Sequence, residues 1–383
     1  MAKRPESANT TITIQPTLHR VAQPDWLPKK IPELDGLRGI AVLAVFLHHC
    51  QPRLAGTLLM RPAQWGWSGV NLFFVLSGYL ITAILLRARS NPDGYFRNFY
   101  ARRALRVLPL YALILAVCFL GPSGLHDPLL PGISHGVTIL SLCLFLQNLF
   151  HTSIAGALQP TWSLAIEEQF YWLWAPIVRF IPSPKILATG LVAVLALSPV
   201  IRGTIGHRLN PQHTLLHLDA IAIGSLLAIG ILTARITRRH WLIAGGAAIT
   251  ISAAAITLAH RAPALLDSFI ALGFAGVVLL ALAGSGARNP AAQSLRGGPL
   301  PWLGRISYGF YLTHMPVIIW IGGFDIFIDH TAIAGFRTAN LLIVVVRFFV
   351  CLAVATILWH GFEKPILRLK RLFPQHEAFT HAG

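Results

Sequence analysis

Charged residues are scarce in this sequence. They make up 12 % of its 383 residues, whereas 55 % are hydrophobic. A soluble globular chain averages about 25 % charged residues, so the shortage excludes a large soluble domain. The apolar residues fall in long blocks separated by short polar loops. This pattern predicts an all-α, polytopic integral membrane protein with the lipid bilayer as its surroundings.

Cysteine is also rare. The four cysteines lie in or beside apolar segments, and their spacing contains no CxxC or Cys/His pattern: Cys50, Cys118, Cys143 and Cys351. This excludes a disulfide framework and predicts no metal site, so the cysteines are interpreted as small hydrophobic residues. The net charge of +17 would suit a nucleic-acid partner. However, the basic residues sit at the ends of apolar segments, as in membrane proteins, and no nucleic-acid binding is predicted.

The chain divides into a polar start, a long apolar region and a short polar end. Residues 1–30 are polar and aperiodic without the apolar stretch of a signal peptide, and they are predicted to form a disordered cytoplasmic tail. The membrane domain is predicted over 31–371, and a short cytoplasmic tail over 372–383. Eleven apolar segments are found within the membrane domain, near residues 36–51, 68–87, 104–120, 134–150, 162–180, 186–201, 214–232, 241–259, 265–284, 303–322 and 339–361.

Both ends of the chain are basic, and basic segments favour the cytoplasmic side of a membrane. If both termini are cytoplasmic, an even number of segments must cross the bilayer. Segment 134–150 is the best candidate for one that does not cross, because Gln147 and Asn148 interrupt it. We therefore expect about ten transmembrane helices and one re-entrant or interfacial segment, with the acidic loop 324–329 outside the cytoplasm.

The first apolar segment, ELDGLRGIAVLAVFLHHC (33–50), carries ionisable residues. On a helix, Arg38 and His49 lie within about 20° of each other and roughly 16 Å apart along the axis, with Asp35 on nearly the same face. One interpretation is that Arg38 reaches the lipid headgroups and His49 makes an interhelical hydrogen bond. We favour a functional stripe, because ionisable groups inside a membrane are costly. His48, about 100° away, is interpreted as a structural residue.

Five ordered stretches resemble motifs of the acyltransferase-3 membrane proteins. They are LDGLRGIAVLAVFLHH (34–49), WSGVNLFFVLSGYLIT (67–82), FYARRALRVLPLY (99–111), TWSLAIEEQFYWLW (161–174) and GRISYGFYLTHMPV (304–317). LDAIAIG (218–224) and FEKP (362–365) also fit, and the resemblance spans roughly residues 33–370. One departure is His217, where the family pattern leads us to expect an arginine.

The resemblance implies an O-acyltransferase of the bacterial inner membrane with both termini cytoplasmic. Such proteins transfer an acyl group, most simply acetyl, from cytoplasmic acyl-CoA (acetyl-CoA) to a hydroxyl of a carbohydrate or glycolipid of the cell envelope. The acyl-pantetheine arm of the donor is similar in length to the separation of Arg38 and His49. A donor held at the cytoplasmic face would therefore present its thioester to His49 within the membrane.

His49 is the predicted catalytic residue, because a sugar hydroxyl needs a base and imidazole suits that task. Alternatively, His49 is acylated itself and passes the group on. Glu167 or Glu168 is expected to orient its ring, and the family pattern favours Glu167. These glutamates have an alternative interpretation as an interfacial pair. Arg38 is expected to hold the donor or to polarise the thioester carbonyl.

Three arginines at the start of the third motif suit the phosphates of coenzyme A: Arg102, Arg103 and Arg106. The alternative for them is ordinary anchoring at the cytoplasmic face. Ser77 and Gly78 are small residues that permit close helix approach, and Ser77 is also a candidate for lining the channel of the donor.

The alternative function is a secondary transporter or flippase, which also contains buried ionisable residues. Such proteins usually contain paired repeats with helix breaks in both halves, and we find no repeat in this sequence. The sequence leaves open the acceptor, the acyl chain and the oligomeric state.

Overall fold

The computed structural model describes residues 24–28, 30–89, 93–121, 134–150, 154, 156–234, 236–258, 262–286, 290–330 and 336–374, without the side chains of 323–338. The predicted tails over 1–30 and 372–383 therefore lie largely outside the described residues, as do the side chains of the acidic loop. Throughout the described ranges the regular structure is helical, which confirms the predicted all-α class.

The chain forms fifteen α-helices in the described ranges. They are α1 (Pro32–His49), α2 (Met60–Gln64), α3 (Gly69–Ala88), α4 (Tyr95–Leu120), α5 (His135–Cys143), α6 (Thr161–Phe180), α7 (Pro184–Thr204), α8 (Leu218–Thr233), α9 (Arg238–Leu258), α10 (Leu266–Ala283), α11 (Pro290–Arg296), α12 (Pro299–Arg305), α13 (Ser307–His330), α14 (Phe336–Leu358) and α15 (Lys364–Leu367).

The first helix begins four residues before the predicted apolar segment 36–51 and ends two residues before the end of that segment. Pro32 occupies its first turn together with Glu33, where the fixed φ of proline and a negative charge are both favourable. The helix ends at His49, and the backbone N–H of Cys50 donates to the carbonyl oxygen of Phe46. The imidazole of His49 therefore lies at the C-terminal end of α1.

Helix α3 lies at the centre of the molecule, packed against α1, α6, α8 and α10. Its contact with α8 depends on two glycines. A Cβ at Gly78 would lie 2.1 Å from the carbonyl oxygen of Ile221, and one at Gly224 would lie 2.0 Å from that of Val75. This agrees with the expectation that Gly78 permits close helix approach.

Six helical segments in the described part of the chain are long and apolar enough to cross a membrane. These are Gly66–Ala88, Tyr95–Leu120, Pro184–Thr204, Arg238–Thr257, Pro263–Ala283 and Ala339–Leu372. The chain is thus a membrane protein with several apolar helices, and the number of about ten crossings stays a prediction. Helices α1 and α6, which carry Arg38, His49, Glu167 and Glu168, are not among the six, whereas α4, which carries Arg103 and Arg106, is.

Segment 134–150 does not form one long helix. Helix α5 has nine residues and therefore extends only about 14 Å, less than half of a hydrocarbon core about 30 Å thick. It ends where Phe145 adopts a positive φ of 54°, and a short 3₁₀ turn over Gln147–Leu149 follows. The short helix supports the prediction that this segment is re-entrant or interfacial.

The apolar helices differ in how much of their surface meets other protein. In the central window of Gly66–Ala88, 83 % of the residues are buried, compared with 11 % for Arg238–Thr257. Helices that are apolar all round but exposed have surfaces suited to lipid. Helix α3 is therefore an inner helix, and α9 lies at the periphery. None of the four cysteines forms a disulfide, and Cys50, Cys118 and Cys351 are buried, as expected for small hydrophobic residues.

Candidate active site

Two cavities lie along α1, one towards each end of the predicted polar stripe. The first, which we call the basic cleft, is lined on its polar side by Arg38, Ser77, Arg103, Arg106 and Glu167. The second, which we call the histidine pocket, is lined by His48, His49, Trp67, Asn71, Gln159, Trp162 and His217, among others. Val70 and Tyr311 line both cavities. The fold thus places Arg38 and His49 in two adjoining cavities.

The ring of His49 is held at both nitrogens. Its Nδ1 lies 3.0 Å from the carbonyl oxygen of Val45, one turn earlier on α1. Because a carbonyl oxygen only accepts hydrogen bonds, Nδ1 carries the proton and donates it. In the neutral ring, Nε2 then has the free lone pair. It lies 3.2 Å from Oε1 of Gln159, which accepts from Nε2 only when the ring is protonated, whereas the same amide turned by 180° donates its NH₂ group to the neutral ring. The structure therefore directs the basic nitrogen of His49 into the histidine pocket.

A second histidine extends this arrangement. His314, on α13, is 1 % exposed, and its Nδ1 donates to the carbonyl oxygen of Tyr311 over 2.6 Å. Its Nε2 therefore accepts in the neutral ring, and it lies 3.3 Å from Nδ1 of His49. The two rings pack edge to face, with centroids 4.9 Å apart. His314 thus reinforces the same protonation of His49, with the proton on Nδ1.

The walls of the histidine pocket combine flat aromatic faces with amide groups. Trp67 and Trp162 supply the aromatic surface, and Asn71, Gln159 and Gln212 supply donors and acceptors. His217 packs its ring against Trp162, with centroids 5.0 Å apart, and its Nε2 donates to the carbonyl oxygen of Pro211 over 2.9 Å. Such a lining can stack on one face of an uncharged polar molecule while bonding its hydroxyl groups.

Arg103 organises the glutamates of α6. Its guanidinium lies 3.6 Å from the carboxylate of Glu167 and 3.3 Å from that of Glu168, and it stacks over the ring of Tyr171. Ser77 donates to Oε1 of Glu167 over 2.5 Å and accepts from the hydroxyl of Tyr171 over 2.8 Å. The structure therefore groups Glu167 and Glu168 with Arg103, whereas Val45, Gln159 and His314 orient the ring of His49.

The other arginines of the cleft have fewer partners. Arg106 lies 3.5 Å from the carboxylate of Glu363, beyond α14. The Nε of Arg38 is buried and makes no hydrogen bond within the part of the chain that the structure describes. A buried guanidinium nitrogen without a partner is costly unless a ligand supplies an acceptor. The cleft can therefore bind an anion or a polarised carbonyl.

Arg102 points elsewhere. Its Nη1 donates to the carbonyl oxygens of Lys370 and Phe373, over 3.0 Å each, and so fixes the chain after α15 against α4. It is not among the residues that line the basic cleft. Arg103 and Arg106 do line that cleft, and so does Ser77.

Three residues near His49 are not among the predicted site residues. These are Gln159, Tyr311 and His314, which lie 110 to 265 positions from His49 along the chain. The available signal was the motif GRISYGFYLTHMPV, which contains both Tyr311 and His314. Groups of three or more potential metal ligands are absent from the part of the chain that the structure describes.

Comparison with known proteins gives the family of the chain. Residues 31–360 match the family model described as "Acyltransferase domain". The chain is 29 % identical to the peptidoglycan O-acetyltransferase OatA of Listeria monocytogenes over 321 residues, which cover 76 % of this chain and 50 % of that protein. It is 28 % identical to the acyltransferase MdmB of Streptomyces mycarofaciens, covering 76 % of this chain and 79 % of that protein.

A third relative is the O-acetyltransferase OatA of Staphylococcus aureus, at 25 % identity over 78 % of this chain and 52 % of that protein. The chain spans about half the length of both OatA proteins. The search of solved structures gave no significant match. The family model covers most of the chain, and each of the five motifs that suggested it contributes residues to the lining of the two cavities. The chain therefore belongs to the acyltransferase-3 family.

Proposed function

We propose that this protein transfers an acyl group, most simply acetyl, from acyl-coenzyme A in the basic cleft to a carbohydrate hydroxyl in the histidine pocket. The observation that carries the proposal is the pair of adjoining cavities, with arginines in one and the free nitrogen of His49 in the other. Coenzyme A is a donor with several phosphates, and guanidinium groups bind phosphates well. Arg38, Arg103 and Arg106 are the proposed donor-binding residues.

The acceptor is a sugar of the cell envelope. Its hydroxyls are uncharged and suit the amides of Asn71, Gln159 and Gln212, and its ring suits the faces of Trp67 and Trp162. The names of the OatA relatives make a peptidoglycan sugar the first acceptor to test. The protein then lies in the bacterial cytoplasmic membrane with the basic cleft facing inwards and both termini cytoplasmic.

The chemistry follows from the orientation of His49. Its Nε2 takes the proton of the acceptor hydroxyl as the oxygen attacks the thioester carbonyl carbon. The C–S bond then breaks, and coenzyme A leaves as a thiolate that receives the proton back from Nε2. While protonated, Nε2–H donates to Oε1 of Gln159, 3.2 Å away. Nδ1 keeps its bonds to Val45 and His314 throughout, so the ring need not turn.

Arg38 is proposed to act on the donor, because its buried Nε lacks a partner within the described residues. It holds the pantetheine or phosphate oxygens at the start of the stripe, about 16 Å from His49 along α1. Glu167, Glu168 and Tyr171 fix the guanidinium of Arg103, so its orientation is set before the donor binds. The glutamates are therefore proposed to position Arg103.

The transporter or flippase alternative has less support, because the chain belongs to a family of acyltransferases. A covalent acyl-histidine differs from the base mechanism in one observable. A labelled acyl group would stay on the protein after a brief reaction without acceptor. The lone pair on Nε2 suits both mechanisms, and we place the base mechanism first because the pocket beside it has room for the acceptor.

The test is transfer of label from acetyl-coenzyme A in inverted membrane vesicles, where the cytoplasmic face is accessible, compared with right-side-out vesicles. We expect label on a lumenal glycan only in inverted vesicles, and only when His49 is present. Labelling of right-side-out vesicles alone would overturn the proposed orientation. No coenzyme A binding and no transfer would overturn the proposed function and return the transporter to consideration.

A further inference from the structure

Two residues lie where the two cavities adjoin. Among the residues that line each cavity, Val70 and Tyr311 occur in both. Arg38, Arg103 and Arg106 line only the basic cleft, and His49 lines only the histidine pocket. If the donor occupies one cavity and the acceptor the other, as the proposed function requires, the thioester carbon must meet the hydroxyl beside Val70 and Tyr311.

The Tyr311 side of this boundary is fixed. Its hydroxyl lies 2.7 Å from that of Ser163 and donates to the carbonyl oxygen of Pro160 over 3.1 Å. Its ring packs edge to face on Phe73, with centroids 6.0 Å apart. Its backbone carbonyl accepts from Nδ1 of His314. Tyr311 is thus held at its hydroxyl, its ring and its backbone carbonyl, and it forms a fixed wall of the boundary.

The Val70 side is apolar, and its backbone is fixed as well. A Cβ at the preceding Gly69 would lie 2.5 Å from the carbonyl oxygen of Ala41, and one at Gly66 would lie 2.2 Å from that of Ala44. The start of α3 is therefore in backbone contact with α1. A larger or smaller side chain at position 70 changes the width of the boundary, because the helix has no room to move closer.

We propose that Val70 and Tyr311 form the passage through which the acyl group reaches the acceptor hydroxyl beside His49, and that the size of Val70 limits the length of the acyl chain. The inference rests on the proposed function and adds a determinant of donor specificity. The acyl chain of a thioester placed here lies against Val70 and the apolar side of the basic cleft, which includes Phe74, Leu164 and Leu312. Replacing valine by alanine opens space for further methylene groups on that side.

The experiment measures the rate of transfer from acetyl-, propionyl- and butyryl-coenzyme A in inverted vesicles, for wild type, Val70→Ala and Val70→Ile. Each methylene accepted or refused by an apolar pocket changes a specificity ratio by about 10- to 200-fold. We expect the butyryl-to-acetyl ratio of kcat/KM to rise at least about tenfold in Val70→Ala. Val70→Ile should lower transfer of propionyl more than transfer of acetyl.

Val75→Ala is the matched control. Val75 lies on the same helix and is fully buried, and it lines neither cavity. It loses the same two methyl groups, so a general loosening of α3 would alter both variants alike. Rates are normalised to folded protein measured by size-exclusion chromatography.

The outcomes separate the two levels of the proposal. The role of Val70 would be overturned if the butyryl-to-acetyl ratio of kcat/KM were equal in wild type, Val70→Ala and Val75→Ala. Transfer by the wild type would in that case still support the proposed function. Opposite shifts for alanine and isoleucine at position 70 would establish the passage. Wild type that transfers none of the three groups would overturn the proposed function, and this inference with it.

Discussion

The basic cleft and the histidine pocket hold their polar side chains by different means. In the cleft, charge balances charge, since Arg103 faces two glutamates and Arg106 faces Glu363. In the pocket, His49 is held by a backbone carbonyl, a neutral amide and a second imidazole. Charged pairs suit an anionic ligand that enters and leaves, whereas a neutral network keeps the base uncharged beside an uncharged hydroxyl.

The difference also explains why the two cavities must adjoin. Buried charges near His49 would bias its protonation, and a neutral cleft would not bind phosphates. Arg38 and His49 lie at opposite ends of one stripe on α1, and Arg103 and Arg106 of α4 lie in the cavity of Arg38, which meets both needs. A reaction then requires only that the donor reach from one cavity to the boundary of the other.

The largest expected effect is loss of the base. His49→Ala should lower transfer by about 10²- to 10⁴-fold, the usual contribution of a general base. The measurement is label transferred to glycan in inverted vesicles at matched expression. His48→Ala is the control, because its ring bonds to Gln51 and packs beside that of His49. Normal turnover by His49→Ala, or an equal loss in His48→Ala, would contradict the assignment of the base.

The second-largest effect is expected from removing the cation that pairs with Glu167 and Glu168 beside the basic cleft. Arg103→Leu leaves the carboxylates of Glu167 and Glu168 without their cation, which should cost about 3–5 kcal/mol of stability. The measurement is thermal unfolding of the purified protein in detergent. Arg97→Leu, an exposed arginine on the same helix, serves as the control. Adding Glu168→Gln to Arg103→Leu should restore part of the loss, and no restoration would argue against the pairing.

A smaller effect is expected when His314, which positions the ring of His49 in the histidine pocket, is replaced. His314→Ala removes one of the two acceptors for Nδ1–H of His49 and leaves the carbonyl oxygen of Val45 as the other. We expect kcat to fall roughly 10- to 100-fold, as when a metal-bound histidine loses its orienting partner. The KM for acetyl-coenzyme A should stay the same, and His314→Asn should restore part of kcat. A rise in KM without a fall in kcat would contradict the positioning role.

The smallest effect concerns the aromatic wall. Trp162→Ala removes a stacking face from the histidine pocket, which should weaken acceptor binding by about 0.5–1.5 kcal/mol, or up to about tenfold in KM. The measurement is a titration with a soluble peptidoglycan fragment or another candidate sugar. Trp172→Ala, on the exposed face of the same helix, is the control. Equal changes in both variants would show a general effect on α6.

Much of the fold follows from the sequence because apolar segments of membrane length must be helical to satisfy their backbone groups. Ten of the eleven predicted segments coincide with helices of 16 or more residues, and segment 134–150 contains only the nine residues of α5. The stripe on α1 could also be predicted, since its geometry depends only on helical periodicity. The number of crossings depends on the membrane itself and stays a prediction.

The partners of the site residues could not be predicted in the same way. His314 lies 265 positions from His49, and Gln159 lies 110 positions away. No local periodicity connects them, because such contacts depend on how helices pack. For the same reason, the sequence placed Glu167 and Glu168 within the membrane but could not show that they face Arg103. Arg102 and Arg103 are neighbours, yet one fixes the chain after α15 and the other lines the cleft.

One measurement tests the division between the two cavities most directly. It determines the Kd for acetyl-coenzyme A and the single-turnover rate of transfer, on the same purified samples of wild type, His49→Ala and Arg106→Gln. His49→Ala should bind the donor as wild type does and transfer the acyl group about 10²- to 10⁴-fold more slowly, whereas Arg106→Gln should bind the donor weakly and still transfer at saturating donor. Loss of donor binding in His49→Ala, together with normal binding in Arg106→Gln, would contradict the placement of the donor and the base in separate cavities.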